Sequence, residues 1–542
     1  MLVFRDGRQP INGRELIFKL LSGLRPLSST TPPSNSILDA LLCAGELECA
    51  LADARDPKAE LAGEITDKLA MALVTGRGAR TDELERKIHA FAVPDRLSLS
   101  RPEGFSYYAL HPLDFAALSA SMPLHTRRVA VVGIRSIGST LSAVVVAEIR
   151  KRRLAAERIT VRPSGHPWDR RLDLTAFERG WINRQNDAQA EFWVVDEGPG
   201  LSGSSFLAVG EALVGAGVPH ERIAFLGSVP PNLNSLRAPN AAVRLSRFRF
   251  CPIPSLRRGP AEAAVWIGGG HWRNKFLNDA EWPALWPQFE RAKFLSSDGQ
   301  ALFKFEGLGR FGAEVRERSQ RLADAGFGPA VGEAEDGYVR YEVVPGRVPT
   351  LADTDDVLQQ IARYCAWRAE TFVAESCSSG ELEQMIRTNA REGLGEDFDV
   401  AELGIEKPVV PDGRMHPHEW RLTREGWLVK LDGASHGDDH FFPGPTDIAW
   451  DLAGAIVEWR LRPAAAEYLL ESYRRASGDN ARARVPGFLM AYALFHLGYC
   501  AMAADSVRGT DEKTRLRRDM ERYCVLASEN RCVTPTLEVP YE

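Results

Sequence analysis

The chain has 542 residues with 67 basic and 73 acidic side chains, a net charge of −6, and 44% hydrophobic and 26% charged residues. At roughly 100–200 residues per domain this predicts three or four folded units with ordinary cores. The acidic balance excludes a general nucleic-acid or anionic-membrane binder.

The opening MLVFRDGRQPINGRE lacks the basic start and apolar core of a signal peptide. No apolar run is read as approaching the ~18 residues of a spanning helix. The eight cysteines contain no CxxC pair. A cytoplasmic protein with reduced thiols is therefore expected, with no membrane partner.

Residues 1–98 read as a helical segment broken by SSTTPPSNS, with helical spacing in ILDALLCAGELECALADA and no visible chemistry. From 99 to 255 the period changes. RVAVVGI, ERITVRP, EFWVVDE and ERIAFLGSVP read as strands, and LSAVVVAEIRKRRL and SSFLAVGEALVGAGV as helices. This alternation predicts an α/β domain with a parallel sheet and ligands beyond the carboxyl ends of its strands. Residues 256–291, rich in Trp, Pro and Gly, read as a linker. A second α+β unit, 292–542, opens with the strands of AKFLSSDGQALFKFE and closes with helices.

The most informative stretch is FWVVDEGPGLSGSSF, residues 192–206. A Gly/Ser loop entering a helix offers backbone N–H groups to an anion, and Ser202, Ser204 and Ser205 add hydroxyls around Gly203. Two carboxylates beside a phosphate call for hydroxyls or a metal, so Asp196 and Glu197 suit a ribose diol and Mg²⁺. These parts resemble the type I phosphoribosyltransferases. The resemblance implies a PRPP-type substrate, with Asp196 and Glu197 catalytic and the Ser202–Ser205 loop on the 5-phosphate. VVGIRSIGST then resembles the pyrophosphate loop, which implies ligand roles for Arg135, Ser136 and Gly138. VRPSGHPWDRRLD stands where a mobile loop would bring Arg162, His166, Arg170 or Arg171 over pyrophosphate. Gly198-Pro199-Gly200 makes the loop after the acidic pair one residue longer than the family pattern.

GLGRFG, Gly307 to Gly312, matches GxGxxG, but no βαβ unit follows it, and the dinucleotide reading is set aside. LFKFEGLGRFGAEVRERSQRLADAGFGPAV followed by YVRYEVVPG instead resembles the N-lobe (292–348) and hinge of aminoglycoside-phosphotransferase-like kinases, with the C-lobe at 349–542. The resemblance implies that Lys304 grips nucleotide phosphates, that Glu314 or Glu317 orients it, and that the hinge runs from Glu342 to Gly346. It implies Asp432 as a metal-binding carboxylate, followed by the D-x-A-x-D-L-A element at Asp447 to Ala453. RMHPHEW stands at the catalytic loop: His416-Pro417 match, Arg414 replaces the general-base Asp, and Glu419 replaces the metal-binding Asn. Asp432 and Glu419 are thus the expected Mg²⁺ ligands, with ATP as the nucleotide. HGDDH, residues 436–440, mimics the missing motif. Either Asp438 or Asp439 has taken over base or metal duty, or phosphotransfer is lost. His416, His418, His436 and His440 also have transition-metal chemistry.

The expected protein is a multidomain fusion: an N-terminal helical segment, a parallel-sheet phosphoribosyltransferase-like domain and a bilobal kinase-like domain. The leading function is bifunctional, Mg²⁺-dependent chemistry on PRPP-type substrates with a phosphotransferase partner. The alternative is a non-catalytic nucleotide- and PRPP-sensing regulator.

Overall fold

In the computed structural model the described residues are 1–529 apart from 4–7, 25–33, 77–80, 90–92, 124–125, 234–235, 254–258, 279–281, 351–353, 376, 378, 397–402, 440, 443 and 508. The chain divides into two compact units, one of residues 7–258 and 307–311 and the other of 1–6, 259–306 and 312–542.

The first unit is built on five strands in the order Ala155–Val161, Arg128–Ile134, Glu191–Val195, Ile223–Gly227, Arg249–Pro252, every neighbouring pair parallel. The strands Glu191–Val195 and Ile223–Gly227 are buried throughout, which is why they read as continuous apolar runs without alternation. The helix Ile137–Lys151 contains three consecutive valines, a strand-like signal. It is helical because it is buried on every side from Ile137 to Ile149, and packing overrides propensity. Ala176–Asp187 starts at a capping box, Thr175 and Glu178 each accepting from the other's backbone N–H.

Residues 1–98 do not form a separate segment. Leu20, Leu41, Leu47 and Leu69 share one core with Ala143, Val144 and Ala147 of the helix Ile137–Lys151, and the strand Arg8–Asn12 pairs antiparallel with Arg96–Ser100. The same contact is made in charge. Arg158, on the edge strand, donates to Glu48 at 2.6 and 2.9 Å and to Asp67 at 2.5 Å, with only 6% of its side chain exposed. GLGRFG also belongs here. Arg310 N donates to Asp39 Oδ1 at 2.9 Å and its guanidinium pairs with Glu46. A Cβ at Gly309, where φ is +51°, would lie 2.0 Å from Asp39 Oδ1. Those glycines serve a packed turn.

The second unit opens with an antiparallel sheet in the order Ala263–Trp266, Lys293–Ser296, Ala301–Phe305, Tyr338–Glu342, Val331–Glu335. The helix Ala313–Asp324 connects the third strand in sequence to the fourth. The expected linker 256–291 is therefore corrected. Its residues Ala263–Trp266 hydrogen-bond to the next strand, and Trp266 packs edge-on against Phe294 of that strand. A helical portion follows, with the small hairpin Trp420–Leu422/Leu428–Lys430 set into it. The helix Val485–Ser506 is long and apolar enough to cross a membrane, which the sequence reading missed. Two-thirds of its apolar window (67%) is buried inside the unit, where Phe488, Tyr492 and Leu494 join the core, so it is a core helix. Among the described residues the cysteines are free thiols.

Removing Arg158 strands the buried Glu48 carboxylate. Arg158→Ala is expected to destabilise the first unit by about 3 kcal/mol or more. Chemical unfolding of the full chain checks this, and an unmoved midpoint would show the ion pairs to be neutral.

Candidate functional sites

In the first unit the buried strand Glu191–Val195 delivers Asp196 and Glu197 to the carboxyl end of the sheet. Gly203, at φ +70°, turns the chain into the helix Ser204–Gly215. Asp196 Oδ1 accepts from Glu197 N at 2.8 Å and Glu197 Oε2 from Gly104 N at 2.8 Å. Burial, opposed by the Glu197 N–H bond and by Arg170 and Arg162, pushes Asp196 up to about 7. Burial, with Glu103 and Asp196 nearby, also raises Glu197. The loop hydroxyls have partners within the unit. Ser204 Oγ donates to the Pro167 carbonyl at 2.7 Å, Ser202 Oγ accepts from Ser204 N at 3.2 Å, and Arg170 donates to Ser205 Oγ at 2.7 Å.

Ser136 precedes the helix Ile137–Lys151 with φ +105°, a strained conformation for a residue with a Cβ. A Cβ at Gly138 would lie 2.8 Å from the Val195 carbonyl, so the two loops meet closely. Arg135, expected in the pyrophosphate loop, and Arg162, expected in the closing loop, both meet Asp53. Arg135 Nη1 is 3.1 Å from Asp53 Oδ1. Arg162 donates to both Asp53 oxygens at 3.1 and 2.5 Å and to the Arg135 carbonyl at 2.7 Å. Sequence reading missed Asp53 because it lies in the helix Ser34–Asp53, far away in sequence. The expected closing loop contains a short hairpin, Ser164–His166 with Asp169–Arg171.

In the second unit a cavity of about 220 Å³ lies between the sheet and the segment after Lys430. Leu302, Tyr341, Val343 and Leu431 give it apolar walls, and Trp272 and Glu290 of the former linker line it as well. Lys304, on the third strand, donates to Asp432 Oδ1 at 2.5 Å and Ser435 Oγ at 2.7 Å. The expected partners Glu314 and Glu317 are exposed on their helix. Glu306 is used instead, 3.1 Å from Lys304 and 3.5 Å from Arg291. Glu306 directly follows the strand Ala301–Phe305, alternate to Lys304, but nothing in the sequence marks it as the partner. The helix Ala313–Asp324 reaches the site through Arg318, whose Nε donates to the Ala434 carbonyl at 2.9 Å.

Glu419 and Asp432 do come together, but around Lys430. This ammonium donates to Glu419 Oε2 at 2.7 Å and the Asp432 carbonyl at 3.1 Å and lies 3.1 Å from Asp412 Oδ1. Burial would push Glu419 up, but Lys430 and the neighbouring histidines outweigh it and hold the carboxyl at about 2. Asp432 is likewise held well below its usual range, Lys304 and His436 outweighing burial. Mg²⁺ needs a near-octahedral oxygen set with room for water. Here both Asp432 oxygens are engaged, Oδ1 by Lys304 and Oδ2 by His436 at 3.4 Å. Asp412 accepts from Tyr364 at 2.5 Å as well as facing Lys430. Asp412, Glu419 and His436 lie within 4.8 Å of one another, yet the ammonium holds the two carboxylates. The arrangement does not fit the expected Mg²⁺.

Arg414, in the expected base position, is half-buried, its guanidinium about 5.9 Å from the Tyr499 ring. His416 pairs with Glu458 at 3.0 Å, which raises it against burial. Burial and His416 push His418 down to about 3, and its ring stacks on Trp272 and His416. Both histidines thus have partners within the unit, and both line the cavity. Asp447 and Asp451 are anchors: Asp447 accepts from the N–H groups of Glu406 and Lys407 at 2.8 Å, and Asp451 from those of Asp412 and Gly413 at 2.8 and 3.0 Å. The turn carrying His436 packs on that same loop, since a Cβ at Gly437 would lie 2.1 Å from the Pro411 carbonyl. Asp439 lines both this cavity and an adjoining one of about 190 Å³. The Asp438 side chain and His440 lie outside the described residues.

No family model matches the chain, and no curated protein matches it. Among solved structures it is similar to a choline/ethanolamine kinase family protein from Mesorhizobium loti (13% identity, TM-score 0.28, 44% of this chain and 90% of that one). It is also similar to a choline kinase from Streptococcus pneumoniae (15%, 0.28, 43% and 89%). A third is an aminoglycoside phosphotransferase from Alicyclobacillus acidocaldarius (15%, 0.29, 44% and 89%).

The raised Asp196 carboxyl makes a pH prediction. A folded value near 7 against an unfolded value near 3.8 means the native state holds a proton the unfolded chain releases. Stability therefore falls as pH rises between those values, and the penalty is complete above about 7. Asp196→Asn should gain stability relative to the natural protein as pH is raised from 5 to 8. Parallel melting curves across that range would refute the assignment.

Proposed function

We propose that the second unit binds a nucleotide, ATP being the expected form, with its phosphates against Lys304 and its base between Leu302 and Leu431. One observation carries this reading: Lys304 lies on the third strand of an antiparallel five-stranded sheet and pairs with Asp432 in an apolar-walled cleft. That is the placement of the phosphate-gripping lysine in kinases. The segment Glu342–Val344 lies on the cavity's edge; the N–H groups of Glu342 and Val343 donate to the Ala330 and Gln300 carbonyls, so the Val344 peptide would be the one to meet a purine. Phosphoryl transfer to an acceptor in the adjoining cavity is the second reading, favoured by Asp439, the carboxylate common to Lys304's cavity and that one.

For the first unit we propose a ribose-phosphate ligand of the PRPP type. Its support is the acidic pair at the end of a buried parallel strand beside a helix N-terminus, a geometry suited to hydroxyls next to phosphate. Asp196 and Glu197 would face the ribose hydroxyls, and the loop at Ser202–Ser205 the phosphate. Together the two ligands suit either a bifunctional enzyme or a regulator that reads both.

Calorimetric titration of the full chain with ATP is expected to show binding that Lys304→Met weakens about tenfold or more, the scale of a charge-assisted hydrogen bond. Unchanged affinity would remove the nucleotide reading. Titration with PRPP is expected to show binding that Asp196→Ala abolishes, with release of pyrophosphate across a panel of bases marking the enzymatic case. Intact PRPP binding in Asp196→Ala would remove the second assignment.

A further inference from the structure

Lys430 ends the strand Leu428–Lys430, where Leu428 and Lys430 are buried and Val429 between them is half-buried. Alternation thus turns a lysine onto the inward face, and none of its side chain is exposed. A buried ammonium is tolerated only when its charge and its three N–H donors are satisfied. Asp412 Oδ1, Glu419 Oε2 and the Asp432 carbonyl supply three oxygens at 3.1, 2.7 and 3.1 Å. Those oxygens come from the two segments, around residues 412–419 and at 432, where the expected metal ligands lie. Two further acids of the cleft are also paired, Glu290 with Lys293 at 2.8 Å and Glu306 with Lys304 at 3.1 Å, while Glu342 and Asp439 line it as well. A divalent ion added to this set would bring positive charge to carboxylates that are already neutralised.

We infer that the Lys430 ammonium occupies the cation position of this cleft, so that nucleotide phosphates are bound without a divalent metal. This rests on the nucleotide reading above for its ligand, but the occupancy of the cation position does not. In a metal-dependent cleft the ion separates phosphate from carboxylate. Here Lys430 neutralises Glu419 from behind and Lys304 neutralises Asp432 from the sheet. The phosphates then meet Lys304, Lys293 and Arg414, all of which line the cavity.

The test uses the full chain in two arms. In the first, ATP is titrated calorimetrically in EDTA and in excess MgCl₂. Equal affinity is expected, and binding about tenfold tighter with Mg²⁺ overturns the inference. Absence of ATP binding in both buffers overturns the nucleotide reading and with it the metal-free phosphate site, while the second arm still decides the cation position. In that arm Mn²⁺ uptake is followed by electron paramagnetic resonance in the natural protein and in Lys430→Met, which keeps the length of the side chain and removes its charge. The natural protein is expected to take up no Mn²⁺ in this unit, and the variant to gain a site. Uptake by the natural protein that Asp432→Asn abolishes, or a folded variant that gains nothing, overturns the assignment. Should Lys430→Met fail to fold, the natural protein's Mn²⁺ result decides alone.

Discussion

Charge taken out of water has to be paired, and both units are organised around that constraint. In the first, Arg158 is shared by Glu48 of one helix and Asp67 of the next, and Arg135 and Arg162 converge on Asp53. These pairs fix the N-terminal helices against the edge of the parallel sheet, where apolar packing alone would leave their register loose. In the second unit the pairing is denser. Lys304 is held by Asp432 and Glu306, Lys430 by Asp412 and Glu419, and Arg368 lies fully buried beside Asp451. Lys304–Asp432 and Arg368–Asp451 join segments far apart in sequence, while Lys430 ties together the stretch from 412 to 430.

The same pairing changes what the sites offer a ligand. A guanidinium bonded to a carboxylate on one side presents only its remaining donors elsewhere. Arg162 spends its donors on Asp53, the Arg135 carbonyl and Cys49, so it shapes the wall of the first site. Arg170, bonded to Ser205 at 2.7 Å, is the cation that touches the loop beside the acidic pair. The raised Asp196 carboxyl, pushed up to about 7 by burial, acts in the same direction: its neutral form donates a hydrogen bond and does not repel a phosphate.

Much of this was legible where burial leaves a periodic trace. The alternation of strand and helix from RVAVVGI to ERIAFLGSVP marked the parallel sheet, because strands buried on both faces must be apolar throughout. Lys304 and Asp432 were singled out by the resemblance to aminoglycoside-phosphotransferase-like kinases, not by periodicity. Partners were harder to read, since periodicity reports the face on which a side chain lies and not what meets it there. Asp53 and Glu306 look like ordinary solvated acids in sequence, and Lys430 like an ordinary strand-end lysine, though its place two residues from Leu428 put it on the buried face. The strand Ala263–Trp266 was hidden by the Gly- and Trp-rich segment after it, and Val485–Ser506 by the polar residues interspersed in its apolar run. GLGRFG, set aside above as a dinucleotide fingerprint, has a different explanation. Glycine marks close approach of any kind, and here the approaching atom is a carboxylate of the same unit.

The loop around Arg414 shows how backbone and chemistry separate. Asp451 holds the N–H groups of Asp412 and Gly413, Asp412 accepts from Tyr364, and Gly413 at φ +83° turns the chain. These contacts fix the path of the loop without using the side chain at 414, so that position changes character without disturbing the fold. A guanidinium there cannot accept a proton from a substrate hydroxyl, because it stays protonated at any working pH. It donates well to anionic oxygens, and it lies with Asp439 on the boundary of the two cavities. Together with Lys430 in place of a metal, it makes this a cleft organised to hold negative charge. On the phosphotransfer reading proposed above, Asp439, the carboxylate that lines both cavities, would take the substrate's proton.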